Sequence, residues 1–100
     1  MHKRTKATNI TPKVREAVWE RDGHRCIVCG DGRAQPNSHI IRRSQGGLGV
    51  EQNIVTHCRR CHEMYDLRTS DAVRQETIDY IKRIYPGWTE EQVTYSKWTD

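Results

Sequence analysis

Cys26-Ile27-Val28-Cys29 and Cys58-Arg59-Arg60-Cys61 contain all four cysteines of the chain, in two identical C-x-x-C spacings. Two such pairs on separate segments have the spacing of one tetrahedral, four-thiolate zinc site. Cys26, Cys29, Cys58 and Cys61 are therefore read as ligands of a structural zinc. Two disulfides are the alternative, which a secreted protein could use. The paired spacing, with no secretory signal at the N-terminus, favours zinc. A thioredoxin-type redox pair is disfavoured, because that motif occurs once, in a βαβ pattern, and none is visible. Between the pairs lie His39, a Gly46-Gly47 turn and Asn53, and His62 follows Cys61 directly.

Size makes a metal scaffold physically welcome. The 100 residues are read as one domain, with 34% hydrophobic residues, no Phe and seven aromatics in all. A chain this short hides only roughly two-thirds of the surface its unfolded form exposes. Metal binding then contributes folding free energy that the core cannot supply. Lys and Arg number 17 against 13 Asp and Glu, for a net charge of +4. The excess gathers in the tail Met1-His2-Lys3-Arg4-Thr5-Lys6 and beside the motif, at Arg42, Arg43, Arg59 and Arg60. That placement points to a nucleic-acid partner; arginines that only keep the surface soluble are the plainer reading. No stretch approaches the ~18 apolar residues of a membrane span. The expected location is cytoplasmic.

Residues 1–10 show no periodicity and are read as a mobile basic arm. Thr11-Pro12 opens a helix, since Thr is a good N-cap and Pro suits the first helical position. Val14, Ala17 and Val18 follow at helical spacing, with Trp19 as a core candidate, and Asp22-Gly23 ends the run. Ala34 to Ile41 reads as a strand with Pro36 near its start, Arg42 to Gln52 as a glycine-marked loop, and Asn53 to Thr56 as a second strand. Cys58 to Arg68 reads as a helix. Ser70 caps another, with Val73, Thr77, Ile81 and Ile84 on one stripe. Pro86-Gly87 stops it. Thr89-Glu90-Glu91-Gln92 has capping-box spacing and starts a short terminal helix, with Trp88, Val93, Tyr95 and Trp98 as packing residues.

Asn37-Ser38-His39-Ile40-Ile41-Arg42-Arg43-Ser44-Gln45-Gly46-Gly47, followed by Asn53-Ile54-Val55-Thr56-His57-Cys58-Arg59-Arg60-Cys61-His62, resembles the HNH endonuclease family. The resemblance spans residues 24–67 and is nearest to the small single-domain HNH proteins of bacteriophages. It implies an α+β fold: a ββα-metal (His-Me finger) core, here braced by the four-cysteine zinc site and flanked by N- and C-terminal helices. It also implies hydrolysis of DNA phosphodiester bonds to 5′-phosphate and 3′-hydroxyl ends. His39 would be the general base, Asn53 would fix the loop behind it, and His62 would hold a catalytic Mg²⁺, Mn²⁺ or other divalent cation. Asp66 sits where the family often carries a second ligand, commonly His. Ser38 departs from the family, which usually has a metal-ligating Asp or His there; a serine hydroxyl would be a weak ligand. Arg42 replaces a frequent Pro and adds a candidate phosphate contact, as do Arg43, Arg59 and Arg60.

Helix geometry supports two separate metal sites. Cys58, Cys61 and Tyr65 fall on one stripe, and His62 and Asp66 on the next. Successive residues differ by about 100° around the axis, so Cys61 and His62 can face different ions. His2, His24 and His57 read as tail, knuckle and strand-end residues. DNA is the expected partner, with a phage terminase or other packaging protein as a further candidate, for a monomer or weak dimer. A zinc DNA-binding module without catalysis, or an adaptor of a packaging or restriction complex, is the alternative, and Ser38 favours it.

Overall fold

Thr11 and Pro12 begin the first long helix as local chemistry requires: the Thr11 hydroxyl accepts the Val14 amide at 3.2 Å, and Pro12 opens the first turn. The computed structural model describes residues 3–95; Met1, His2 and Trp98 lie outside them. The element order is α1 (Lys3–Thr8), α2 (Pro12–Arg21), β1 (Ala34–His39), β2 (Ile54–Cys58), α3 (Arg59–Asp66) and α4 (Asp71–Ile84). Short 3₁₀ turns occupy Arg43–Gln45, Glu51–Asn53 and Glu91–Val93. The architecture is α+β, with helices around one antiparallel β1–β2 hairpin.

Every residue of β2 is buried, which is unusual for a strand in a two-stranded ribbon. Helices cover it instead of further strands. Val18 of α2, Ile54 and Val55 of β2, Tyr65 of α3, Val73 and Ile81 of α4, and Trp88 and Val93 are all buried. The α4 stripe of Val73, Thr77 and Ile81 faces inward as its spacing demands, and the Ser70 hydroxyl caps the helix by accepting the Val73 amide at 3.2 Å. The C-terminal segment then closes behind the long loop. Leu48 N–H donates to the Val93 carbonyl at 2.8 Å, and Tyr95 N–H donates to the Gly46 carbonyl at 2.7 Å.

A buried ionic cluster ties α2 to the hairpin. The Asp22 side chain is fully buried and accepts from Arg21 Nε at 2.8 Å, Arg21 Nη2 at 3.2 Å, the Tyr80 hydroxyl at 2.6 Å and the Thr56 amide at 2.8 Å. The same Arg21 donates to the carbonyls of Glu51 and Ile54, both at 2.7 Å. Every part of the pair has a partner, and so the charges survive burial.

Two expectations about the N-terminal region need correction. Lys3–Thr8 forms a helix where the sequence shows no periodicity. Tertiary contact defines it: Thr8 is buried, Gly49 N–H donates to the Ala7 carbonyl at 3.0 Å, and a Cβ at Gly49 would lie 2.0 Å from the Asn9 carbonyl. Trp19 is not a core residue. It is half-buried and stacks on His24, ring centroids 4.9 Å apart. The remaining boundaries shift by a few residues, with α3 ending at Asp66 and the terminal helix reduced to a 3₁₀ turn.

The buried pair yields a contrast. Asp22→Ala strands a buried guanidinium and costs about 3–5 kcal/mol of stability. Removing the exposed partner of Asp31 with Arg33→Ala changes stability by less than about 1 kcal/mol. Urea unfolding of both variants checks the difference.

Candidate active site and metal centre

The four cysteine sulfurs come from two places in the fold. Cys26 and Cys29 sit on a knuckle after α2, and Cys58 and Cys61 straddle the β2–α3 junction. The knuckle is tight because Gly30 N–H donates to the Cys26 carbonyl at 3.0 Å, with Gly30 at φ 81°, where glycine is unstrained. Ile27 N–H, donating to the Thr56 carbonyl at 3.0 Å, pins it to β2. The Cys58 sulfur is also the N-cap of α3 and accepts from the Cys61 amide at 3.4 Å.

All four sulfurs lie within 4.8 Å of one another, and none is in a disulfide. Zn–S bonds of about 2.3 Å in a tetrahedron place the sulfurs about 3.8 Å apart, so the set fits one such ion. Three of the four cysteines are buried. Burial opposes ionisation of Cys26, yet the backbone amides of Cys29, Cys58 and Val28 bring it to about 7. Burial pushes Cys61 up, and the neighbouring Cys58 and Cys26 sulfurs push it further. A divalent cation removes that mutual penalty by binding all four as thiolates.

The hairpin loop is organised by Asn53, whose side chain is fully buried. Its Oδ1 accepts the Ile41 amide at 2.9 Å; its Nδ2 donates to the Leu48 carbonyl at 2.9 Å and the Ile41 carbonyl at 3.2 Å. One side chain thereby closes the loop just behind His39. Gly47 permits this approach, since a Cβ there would fall 1.6 Å from the Ile41 carbonyl oxygen.

His39 and His62 line one cleft of about 440 Å³, together with Asn37, Arg42, Arg43, Ser44 and Asp66. His39 Nε2–H donates to the Thr8 carbonyl at 2.9 Å. A carbonyl only accepts, so the neutral ring carries its proton on Nε2 and its lone pair on Nδ1. His39 is held below the ordinary histidine value, chiefly by burial and further by nearby Arg43 and His62, with the Thr8 bond opposing. Asp66 is exposed, 3.8 Å from Arg42 Nε, and Arg42 also donates to the Asp66 carbonyl. Arg43 bonds Asn9. An adjoining hollow of about 480 Å³ shares Asn37 and His62 and adds Arg33 and Arg59. Arg60 lies beyond it, toward the sulfurs, with Arg33 and Arg59 again on the wall.

Ser38 is buried, and its hydroxyl lies 2.8 Å from His57 Nδ1 and 3.0 Å from His62 Nδ1. A bulge puts it there. Between the pairs Gln35↔His57 and Ser38↔Val55, β1 takes three steps where β2 takes two. Paired residues share a face, as do alternate residues on a strand, so Ser38 joins Val55 and His57. Without the extra residue at Pro36-Asn37, Ser38 would point to the opposite face.

A family model for HNH endonuclease matches residues 26–78. The chain belongs to the HNH endonuclease family. Among curated proteins, one named Anaredoxin, from Nostoc sp. (strain PCC 7120), is 33% identical over 54 residues, covering 53% of this chain and 71% of its own length. No solved structure matches this chain. No helix among the described residues is long and apolar enough to cross a membrane.

The HNH family implies a divalent metal, and the side chains of the cleft decide whether one would fit there. Among the described residues the four cysteines are the one group of three or more His, Cys, Asp or Glu donors that could hold a metal. The cleft offers three such side chains, His39, His62 and Asp66; with the His39 ring bonded to the Thr8 carbonyl, His62 and Asp66 are the two that would hold an ion. That set fits a hard cation that keeps several waters and takes phosphate oxygens as further ligands. Asn37 lines the cleft, the Thr8 carbonyl bonds His39, and His57 and Thr77 are hydrogen-bonded behind Ser38; none of these was a site candidate in the sequence. Pro36 was the sole local sign of the bulge that recruits Ser38 and His57.

One tightly held ion per chain is expected at the sulfurs. Elemental analysis of purified protein, and its loss in Cys58→Ser together with a steep drop in melting temperature, check this. Chelation should also lower the total helical signal in far-ultraviolet circular dichroism.

Proposed function

We propose that this HNH protein is a metal-dependent DNA endonuclease whose structural ion is zinc. The supporting observation is the cleft itself: an imidazole with a free Nδ1 lone pair, a second imidazole with a nearby carboxylate, and two arginines on one wall. Hydrolysis of a phosphodiester needs a base for water and positive charge for the phosphorane and leaving oxygen. His39 supplies the base. The Thr8 carbonyl holds its proton on Nε2, so Nδ1 takes the proton of the attacking water. Asn53 keeps the loop, and with it His39, in place. His62 and Asp66 hold the divalent cation, which supplies Lewis-acid stabilisation of phosphate and leaving oxygen when bound. Arg42 and Arg43 on one side, with Arg33, Arg59 and Arg60 on the other, give a backbone phosphates on both flanks to meet. The products would carry 5′-phosphate and 3′-hydroxyl ends. A single cleft cuts one strand at a time.

A second reading is a DNA-binding module with weak or no catalysis. It is favoured by the small donor set, in which the Ser38 hydroxyl is engaged by two histidines and Asp66 is shared with Arg42. Supercoiled plasmid incubated with protein and Mg²⁺, Mn²⁺ or Ni²⁺ separates the two. Nicked or linear DNA is expected, and His39→Ala should lower the rate by about 100-fold or more with folding and zinc content intact. Intact supercoils with every ion, beside a retarded gel band, would select the binding module.

The pH profile has a defined sign. His39 acts as base when neutral, and its depressed value keeps it neutral to lower pH than a free histidine. The acid limb of kcat/KM should therefore fall below about 6.5. Arg43→Gln removes one of the positive neighbours and should move that limb to higher pH. A limb that does not move would show that Arg43 acts on DNA alone.

A further inference from the structure

A line of hydrogen bonds runs from α4 to the cleft through the core. The Thr77 hydroxyl donates to the Val73 carbonyl at 2.8 Å. His57 Nε2 lies 3.0 Å from that hydroxyl, and His57 Nδ1 lies 2.8 Å from the Ser38 hydroxyl. Ser38 Oγ lies 3.0 Å from His62 Nδ1. Thr77, His57 and Ser38 are 0%, 2% and 1% exposed. These three are shut away from solvent and His62, half-buried, forms the open end, so the protons of Thr77, His57 and Ser38 are placed within the line.

Only two directions are consistent with one proton per hydroxyl and one per neutral ring. In the first, Thr77 gives its proton to the Val73 carbonyl, and His57 Nε2–H donates to Thr77. Ser38 O–H then donates to His57 Nδ1, and His62 Nδ1–H donates to Ser38. In the second, every proton is reversed, and His62 carries its proton on Nε2. The Val73 carbonyl decides between them, because it can only accept. Reversal would leave two oxygens at 2.8 Å with no hydrogen between them. That contact is repulsive, and the first direction is the one the anchor permits.

We propose that Ser38, His57 and Thr77 are positioning residues that keep the His62 proton on Nδ1 and leave Nε2 unprotonated to bind the cleft cation. The consequence for the cation rests on the endonuclease reading; the proton placement does not. Ser38 acts through His62 rather than as a metal ligand. Its buried hydroxyl gives its one proton to His57 and accepts from His62, bonds that direct it at the two rings. A carboxylate at this position would accept from His62 but could not donate to His57, so the serine and the strand-end histidine work as a pair. The bulge at Pro36-Asn37 is what allows the pair to form.

The test is long-range ¹H–¹⁵N correlation spectroscopy on ¹⁵N-labelled protein with its structural zinc bound and no other divalent cation added. The expected spectrum shows His57 as the Nε2–H tautomer and His62 as the Nδ1–H tautomer. Either ring in the opposite form overturns the proposal. Thr77→Val keeps the shape of the side chain but removes the anchor. In it the Nε2–H form of His62 should become populated, and Mn²⁺ affinity, read by water-proton relaxation, should fall roughly tenfold. Thr77→Ser should restore both. An unchanged His62 tautomer in Thr77→Val would also overturn the proposal. Should Thr77→Val fail to fold, the parent and Thr77→Ser spectra still decide. The expected tautomers in a protein that never cuts DNA would refute the endonuclease reading and leave the line of protons standing. Cleavage by a protein with the opposite tautomers would do the reverse.

Discussion

Four sulfurs drawn from two segments hold this small fold in register. Helix α3 has eight residues, fewer than an isolated helix needs to persist in water. It is kept helical by a Cys58 sulfur that caps its first turn and a Cys61 sulfur one turn on, both at the same cluster. The knuckle carrying Cys26 and Cys29 is meanwhile bonded to β2 through Ile27 and Thr56. One ion held there would fix strand, knuckle and helix together. The face of α3 next to the cysteines then presents His62 to the cleft, at a place set by the cluster.

The rest of the interior is held as much by polar groups as by apolar ones. Asp22 with Arg21, Asn53 with the loop carbonyls, and Ser38 with two histidines each sit where a larger protein would place aliphatic side chains. Such groups stabilise only when every donor and acceptor is matched. Among buried side-chain atoms of the described residues, Thr56 Oγ1 alone has no partner. Matched polar clusters give a core of modest size a single arrangement, because each slip would strand a buried donor. His57 shows the same pressure: burial pushes it down to about 4, with His62 adding and Asp22 opposing, and it serves as a neutral link between hydroxyls.

The cleft combines few donors with many arginines. In the proposed endonuclease reading, His62 and Asp66 would offer a hard cation two protein positions. On the same reading, affinity for a nucleic-acid backbone would fall to Arg42, Arg43 and the arginines of the adjoining hollow. The Arg42–Asp66 pair joins the two functions, because the same guanidinium that can meet phosphate also holds the end of α3. The N-terminal helix enters the site through a backbone atom, the Thr8 carbonyl, which places the His39 proton.

The HNH family was read from the resemblance of the motif, and the family match bears it out. Residue spacing was enough to read the metal cluster, the order of hairpin and helix, and the capped α4 stripe. These depend on local rules: C-x-x-C geometry, period-3.6 burial and hydroxyl caps act over a few residues. The proton line was not legible. His57 looked like a strand-end residue and Thr77 like one more member of a stripe, because their meeting joins β2 to α4 across 20 positions. The role of Ser38 depended on which face of β1 it occupies, and a one-residue bulge reverses that face with no change in composition. The helix at Lys3–Thr8 likewise has no periodic signal, since contacts with a glycine loop over 40 residues away define its end. Sequence therefore specified what most segments are. Register and long-range contact, which carry no local signature, decided which side chains share a proton.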